Sequence, residues 1–193
     1  MITHSESISL LDGLISLSSV DRYHGHPTIK IQSVADHSAR VAMIAFELAK
    51  EFYSEDLNKA YEVVTIALFH DFSEGILKND VNSSIKNKYG IRELLKQLEA
   101  DVVNELFISE SSKCYKDLFL ENCSEDQYYL MKLADSLDFG MYVWSEVMLG
   151  NQHLKQLLRS FNSEVGRYPE KFTSLPFCKL ISERIFNLLK SYV

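Results

Sequence analysis

The sequence predicts an all-α protein. Apolar residues recur at three- and four-residue spacing through most of the chain from Val34 onward, and no stretch shows the strict alternation of a half-buried strand. Only three prolines interrupt 193 residues. With 46% hydrophobic residues the chain is long enough to bury one sizeable core. One domain over residues 1–193 is therefore expected, with a core of about 22–149 and a helical extension of about 150–193.

At the N-terminus, Met1 to Ser7 carries no basic region, and the apolar stretch from Ile8 to Val20 is broken by Asp12, Gly13 and several serines, so no signal peptide is expected. The first clear helix opens at Val34, with Val41, Ile44, Ala45, Leu48 and Phe52 on one face and Glu47, Lys50 and Glu51 on the other. Ser33 and Asp36 have the spacing of a capping box. A second helix is expected from about Glu55 to Phe72, its inner face formed by Leu57, Ala60, Val64, Ala67 and Leu68, with Gly75 available to end it. Another amphipathic segment follows from Ile91 to Leu106.

Ser124 and Gln127 form a second capping-box pair, opening a helix from about Glu125 to Leu149 that Gly150 should close. Tyr128, Leu130, Met131, Leu133, Leu137, Met141, Trp144 and Met148 make it apolar on most sides, as expected of a central helix. Pro176 then starts a last helix carried by Leu180, Ile181, Ile185, Leu188 and Leu189.

Composition narrows the function. The formal net charge is −7 with no run of five like charges, which argues against tracking long nucleic acid but leaves room for a small anionic substrate. No stretch has the roughly 18 uninterrupted apolar residues of a membrane span, so no membrane partner is expected. Cys114, Cys123 and Cys178 lack CxxC spacing and fit free thiols in a reducing cytoplasm.

Four residues stand out chemically. His37 falls on the buried stripe of its helix, where its ordinary role is that of a core histidine bonded to a backbone carbonyl. His70-Asp71 sits near a helix C-terminus, where the dipole disfavours an aspartate unless a cation lies beside it. Asp135 lies within the most apolar helix and needs a partner, either a lysine or arginine in an ion pair or a cation shared with His37, His70 and Asp71. Two imidazoles and two carboxylates without thiolate suit a borderline divalent ion.

The order His37, then His70-Asp71, then a late Asp135 resembles the H…HD…D signature of the HD superfamily. The contexts Ser33-Val34-Ala35-Asp36-His37-Ser38-Ala39-Arg40-Val41-Ala42, His70-Asp71-Phe72-Ser73-Glu74 and Lys132-Leu133-Ala134-Asp135 are similar to the bacterial HD-domain 5′-deoxynucleotidases, the YfbR-like family, and to related phage dATP triphosphohydrolases. The similarity runs from Arg22 to about Trp144.

This resemblance implies an HD-domain helical bundle and His37, His70, Asp71 and Asp135 as ligands of a divalent cation (Co²⁺, Mn²⁺, Zn²⁺, Fe²⁺ or Mg²⁺). It also implies a catalytic acidic group at Glu74, four residues after His70, and a second at Asp80, with Asn79 where the family often has Gly. Arg22-Tyr23 resembles the family's Arg-Trp pair, which implies phosphate contact by Arg22 and nucleoside packing by Tyr23, with Tyr departing from Trp. Arg22 on spacing alone is equally a solvated loop arginine, and Glu74 an exposed helix-end glutamate. His24 and His26 belong to the same loop and are not assigned to metal. Lys86 aligns with a phosphate-side lysine, although Asn82-Ser83-Ser84 replaces a proline-containing stretch.

The expected activity is metal-dependent removal of the 5′ phosphate of a small deoxynucleotide, giving deoxynucleoside and phosphate. A deoxynucleoside triphosphate triphosphohydrolase is the alternative within the class, and a non-catalytic nucleotide-binding regulatory module the alternative outside it. A cyclic-nucleotide phosphodiesterase would require a second set of metal histidines, which the sequence lacks. Relatives that form dimers or larger rings imply a homo-oligomer.

Overall fold

The computed structural model describes residues 4–23, 25–54, 56–80, 90–91, 93–95, 97–98, 101 and 123–191, with the side chains of 4–10 and 188–191 left aside. The described chain is helical, and its β structure is confined to an isolated antiparallel bridge between Asp21 and Ser33. That bridge closes the loop from Asp21 to Ser33, with Arg22 N–H donating to Gln32 O at 2.8 Å and Val34 N–H to Val20 O at 2.9 Å.

Helix α1 (His4–Leu17) precedes this loop and α2 (Val34–Tyr53) follows it. Both halves of the Ser33–Asp36 capping box are made, which satisfies the backbone amides of Ser33 and Asp36 at the start of α2. α3 (Leu57–Phe69) returns against α2, and a short α4 (Phe72–Leu77) packs against α1. α5 (Glu125–Met148) opens on the Ser124–Gln127 capping box and lies against both α2 and α3. A 3-10 turn (Gln152–Leu154), α6 (Lys155–Val165), α7 (Glu170–Thr173) and α8 (Pro176–Ser191) complete the order.

The main core joins Val41, Ala45 and Leu48 of α2, Ala60, Val63 and Ala67 of α3, Leu130, Leu133 and Leu137 of α5, and Phe161 and Ile185 from the C-terminal helices. A smaller cluster of Leu17, Val20, Val34 and Phe72 ties α1 and α4 to the start of α2. No helix among the described residues is long and apolar enough to cross a membrane.

The structure corrects several expectations. The helix expected from Glu55 to Phe72 is two helices, and Gly75 does not end the first but lies inside the second. A Cβ at Gly75 would stand 2.6 Å from Gly13 O, so glycine is there for close approach of α4 to α1. On α3 the buried face is Ala60, Val63, Ile66 and Ala67, while Leu57 and Leu68 are exposed. This helix is apolar on most sides, so composition alone leaves its rotational phase open. Tyr128, Met141 and Met148 of α5 and Leu180 of α8 also face outward. Helix α1 has no counterpart in the sequence expectations, while α6 and α7 fall within the helical extension of about 150–193, where only the helix after Pro176 was specified. Of the segment from Ile91 to Leu106, residues 93–95, 97–98 and 101 are helical and the remainder lies outside the described residues.

Candidate active site

One turn into α2, His37 is fully buried. Its Nε2 lies 3.3 Å from Asp135 Oδ1 on α5 and 3.4 Å from Asp71 Oδ2. His70 caps the end of α3, and its Nδ1–H donates to Ala67 O at 2.7 Å. That bond leaves Nε2 as the face of His70 turned toward the same point, 3.2 Å from Asp71 Oδ2, with the two imidazole centroids 5.2 Å apart. One ligand atom each from His37, His70 and Asp135 lie within 4.8 Å of one another and can hold a metal ion.

The fit to a cation rests on the donor atoms. Among the described residues, both Nε2 atoms are buried and lack an aligned hydrogen-bond partner, although carboxylate oxygens stand close by. Buried imidazole nitrogens facing carboxylate oxygens are a donor set that a divalent ion completes.

Asp71 occupies the break between α3 and α4. It is the N-cap residue of α4, without a side-chain cap bond, so its charge faces the start of a new helix as well as the end of the old one. The dipole conflict expected at a helix C-terminus is thus partly relieved by the chain itself. Asp135 has the ion-pair partner considered from the sequence, Lys132 Nζ at 3.5 Å from Oδ2, and through Oδ1 it faces His37, one of the residues with which it was expected to share a cation.

The electrostatics follow from this crowding. Burial and Arg22 both work against a charged His37, but Asp135, Asp138 and Asp71 outweigh them and push its pKa up to about 10. Burial raises the pKa of Asp71 and Asp135, yet His70 and His37 around Asp71, and Lys132 with His37 and His70 around Asp135, hold both carboxyls well below the usual range. A site that stabilises a proton on His37 so strongly is a site of negative potential, and a cation in place of that proton is stabilised by the same carboxylates.

Arg22 does reach the site. Its Nη1 lies 3.4 Å from Asp71 Oδ2, and the guanidinium sits 5.6 Å from the Tyr23 ring centroid. Burial opposes the charge on Arg22, but Tyr23, Asp71, Asp135 and Asp80 reinforce it. Tyr23 has φ of 64° and stacks on Tyr142 of α5 at 4.6 Å between centroids. A left-handed backbone is unfavourable for tyrosine, so the stacking holds the ring against a local backbone cost. Its buried hydroxyl has no hydrogen-bond partner among the described residues. Glu74 is buried on α4 rather than exposed at a helix end. Asp80 is half-buried beyond α4 and lies in the field of Arg22. His26 is half-buried in the loop, and His24 and Lys86 lie outside the described residues.

Several residues that the sequence reading missed organise this site. Asp138 accepts from His37 Nδ1 at 2.7 Å, Gln32 Nε2 at 2.9 Å and Arg40 Nε at 2.6 Å. Glu146 accepts from the amides of Ile29 and Lys30 and from Asn151 Nδ2, each at 2.7 Å. Asn151 Nδ2 also donates to Pro27 O at 2.9 Å, and Tyr142 Oη to Lys30 O at 2.6 Å. Asp135, Asp138, Tyr142 and Glu146 share one face of α5, so this helix carries both a side chain of the centre and the anchors of the Arg22 loop. The available signal was a set of polar residues at three- and four-residue spacing on an otherwise apolar helix.

The sequence pattern described as 5′-deoxynucleotidase YfbR-like matches residues 9–181. The chain belongs to the YfbR-like 5′-deoxynucleotidase family. The match extends beyond the Arg22-to-Trp144 similarity, taking in much of α1 and most of the C-terminal helices. Among curated YfbR-like relatives, a 5′-deoxynucleotidase of Enterobacter sp. (strain 638) is 29% identical over 174 residues, spanning 80% of this chain and 84% of the relative. The fold is shared with a conserved hypothetical protein from Pyrococcus furiosus, with a TM-score of 0.66, 25% identity and coverage of 93% of this chain and 99% of that one. It is also shared with the cyanophage S-2L HD phosphohydrolase DatZ, solved with dA and one catalytic Zn²⁺, at a TM-score of 0.59 and 16% identity, covering 99% of this chain and 98% of the other.

Proposed function

We propose that this YfbR-like protein is a metal-dependent 5′-deoxynucleotidase, hydrolysing a deoxynucleoside monophosphate to deoxynucleoside and phosphate. The observation that carries the reading is the convergence of His37, His70 and Asp135 within 4.8 Å, with Arg22 against the adjoining Asp71. Family membership and the deoxynucleotidase relatives supply the substrate class.

In this reading His37, His70, Asp71 and Asp135 hold one divalent cation. When bound, the ion supplies Lewis-acid polarisation of the phosphoryl group and a more acidic water. Arg22 meets the phosphate oxygens in the fork geometry that suits its guanidinium and offsets the charge that develops there. Glu74 accepts the proton of the attacking water on a carboxylate oxygen and makes it available to the departing 5′ oxygen. Asp80 positions water or the sugar, Tyr23 packs against the nucleoside, and Lys86 is assigned to the phosphate side. Zn²⁺ is the first ion to test, since the phage protein of the same fold was solved with it. We further read residues 1–193 as one HD domain that works as a cytoplasmic homo-oligomer.

Protein stripped of metal and reloaded with Zn²⁺, Co²⁺, Mn²⁺ or Mg²⁺ would be offered dAMP, dATP and their ribose counterparts, and the products separated by chromatography. Deoxynucleoside from dAMP supports the proposal. Deoxynucleoside from the triphosphate alone would replace it with a triphosphohydrolase, and binding without product would replace it with a regulatory module. Size-exclusion with light scattering reads the oligomeric state.

A further inference from the structure

Asp138 is fully buried; Arg40 Nε donates to its Oδ1 and Gln32 Nε2 to its Oδ2, and His37 Nδ1 lies 2.7 Å from the same Oδ2. An ionised carboxylate can only accept, so the hydrogen of a neutral His37 must sit on Nδ1 and the lone pair on Nε2. Nε2 is the atom that faces Asp71 and Asp135. The two orientational freedoms that decide whether an imidazole can bind an ion, tautomer and ring rotation, are thus both set from behind by one residue.

We propose that Asp138 is a positioning residue that holds His37 as the Nδ1–H tautomer, with Nε2 presented to the cation. Arg40 and Gln32 in turn fix Asp138, because each occupies acceptor capacity that would otherwise let the carboxylate rotate. Gln32 also accepts the amide of Arg22 through its backbone oxygen at 2.8 Å, so the same residue links the centre to the Arg22 loop. A buried Asp138–Arg40 ion pair serving the fold alone is the competing account. It is the weaker one, because the Arg40 side chain is 42% exposed and can hydrate its charge without a buried partner.

The inference rests on the metal reading of the site, and the experiment separates the two. Metal-stripped wild type and Asp138→Asn are titrated with Co²⁺, following the visible absorption of the bound ion, alongside thermal melts of both metal-free proteins. An amide can turn its NH₂ toward Nδ1, which favours the tautomer whose Nε2 bears hydrogen and cannot ligate. The expected result is Co²⁺ affinity about 10–100-fold weaker in the variant, with an altered absorption band. Wild-type affinity and spectrum in Asp138→Asn would overturn the inference while leaving the metal site intact, whereas absence of Co²⁺ binding by wild type would overturn both. If Asp138→Asn does not fold, the long-range ¹H–¹⁵N spectrum of the Zn²⁺-loaded wild type decides: hydrogen on His37 Nδ1 supports the inference, and metal on Nδ1 overturns it.

Discussion

Arg22 Nη1 stands 3.4 Å from Asp71 Oδ2, so a guanidinium shares with two imidazoles a carboxylate oxygen at the centre of the site. This places the positive charge where a substrate phosphate would compete for it. It also makes Arg22 unfavourable to a cation bound beside Asp71.

Replacing Arg22 with Met should therefore act in opposite directions on the two ligands. A hydrogen bond to a charged group contributes about 1.5–3 kcal/mol, so kcat/KM for dAMP should fall by about 10- to 100-fold. Co²⁺ affinity should stay equal or rise, because a like charge has been removed. Steady-state kinetics and a Co²⁺ titration of the same preparation test both arms, and unchanged kcat/KM would remove Arg22 from the substrate site.

Removing the metal should cost stability as well as activity. An ion that binds only the folded state adds about 2.7 kcal/mol when present at a hundred times its dissociation constant. Wild type melted with excess Co²⁺ should gain several degrees over chelator-treated protein, and Asp135→Asn should lose that gain. A gain of equal size in Asp135→Asn would locate the ion elsewhere.

Glu146 provides a pH prediction away from the metal residues. Burial raises its pKa, but the amides of Ile29 and Lys30 and the Asn151 side chain hold the carboxyl below its ordinary value of 4.5. A carboxyl with a depressed folded-state pKa contributes stability that is fully present above 4.5 and is lost as pH falls through the folded-state value. Glu146→Gln should accordingly destabilise the protein at neutral pH by about 1–3 kcal/mol. The gap from wild type should close as the pH is lowered below 4.5, as read from denaturant melts across pH. A gap independent of pH would show that the carboxylate charge plays no part in holding the loop.

Gly140→Ala tests the packing of α5. Alanine is the better helix former by about 1 kcal/mol, but its Cβ would press into the buried Phe161 ring and stand 2.9 Å from Ile185 Cδ1. Overpacking of this kind costs about 1–3 kcal/mol, so the variant should be less stable despite its propensity. A higher thermal midpoint would mean that α6 and α8 yield easily.

Much of this was legible in the sequence, for reasons that particular residues make plain. Ser33 with Asp36 and Ser124 with Gln127 announced the starts of α2 and α5, because a capping box is a local signal that tertiary contacts do not need to complete. His37 stood out on a buried stripe, His70-Asp71 at a helix end and Asp135 within an apolar helix, and the structure gathers them at one point. Asp138 did not stand out because its partners Gln32, His37 and Arg40 lie far away in sequence, and Glu146 did not because it anchors the aperiodic Asp21–Ser33 loop, where a side chain's value has no spacing to betray it. Gly75 misled in the opposite way: helix punctuation and close helix contact draw on the same lack of a Cβ.

The shared face of α5 from Asp135 to Glu146 works as a ruler. Eleven residues of helix rise about 16 Å, and the orientation of every side chain along that length is locked to its neighbours. One added residue between these positions would turn everything beyond it by about 100°, detaching the loop anchors from the centre in a single step. Inheritance should therefore preserve the length of this segment more strictly than the identity of its outward-facing side chains, and any chain built on the same plan has little freedom to reset the distance between the His–Asp cluster at Asp135 and the loop that carries Arg22 and Tyr23.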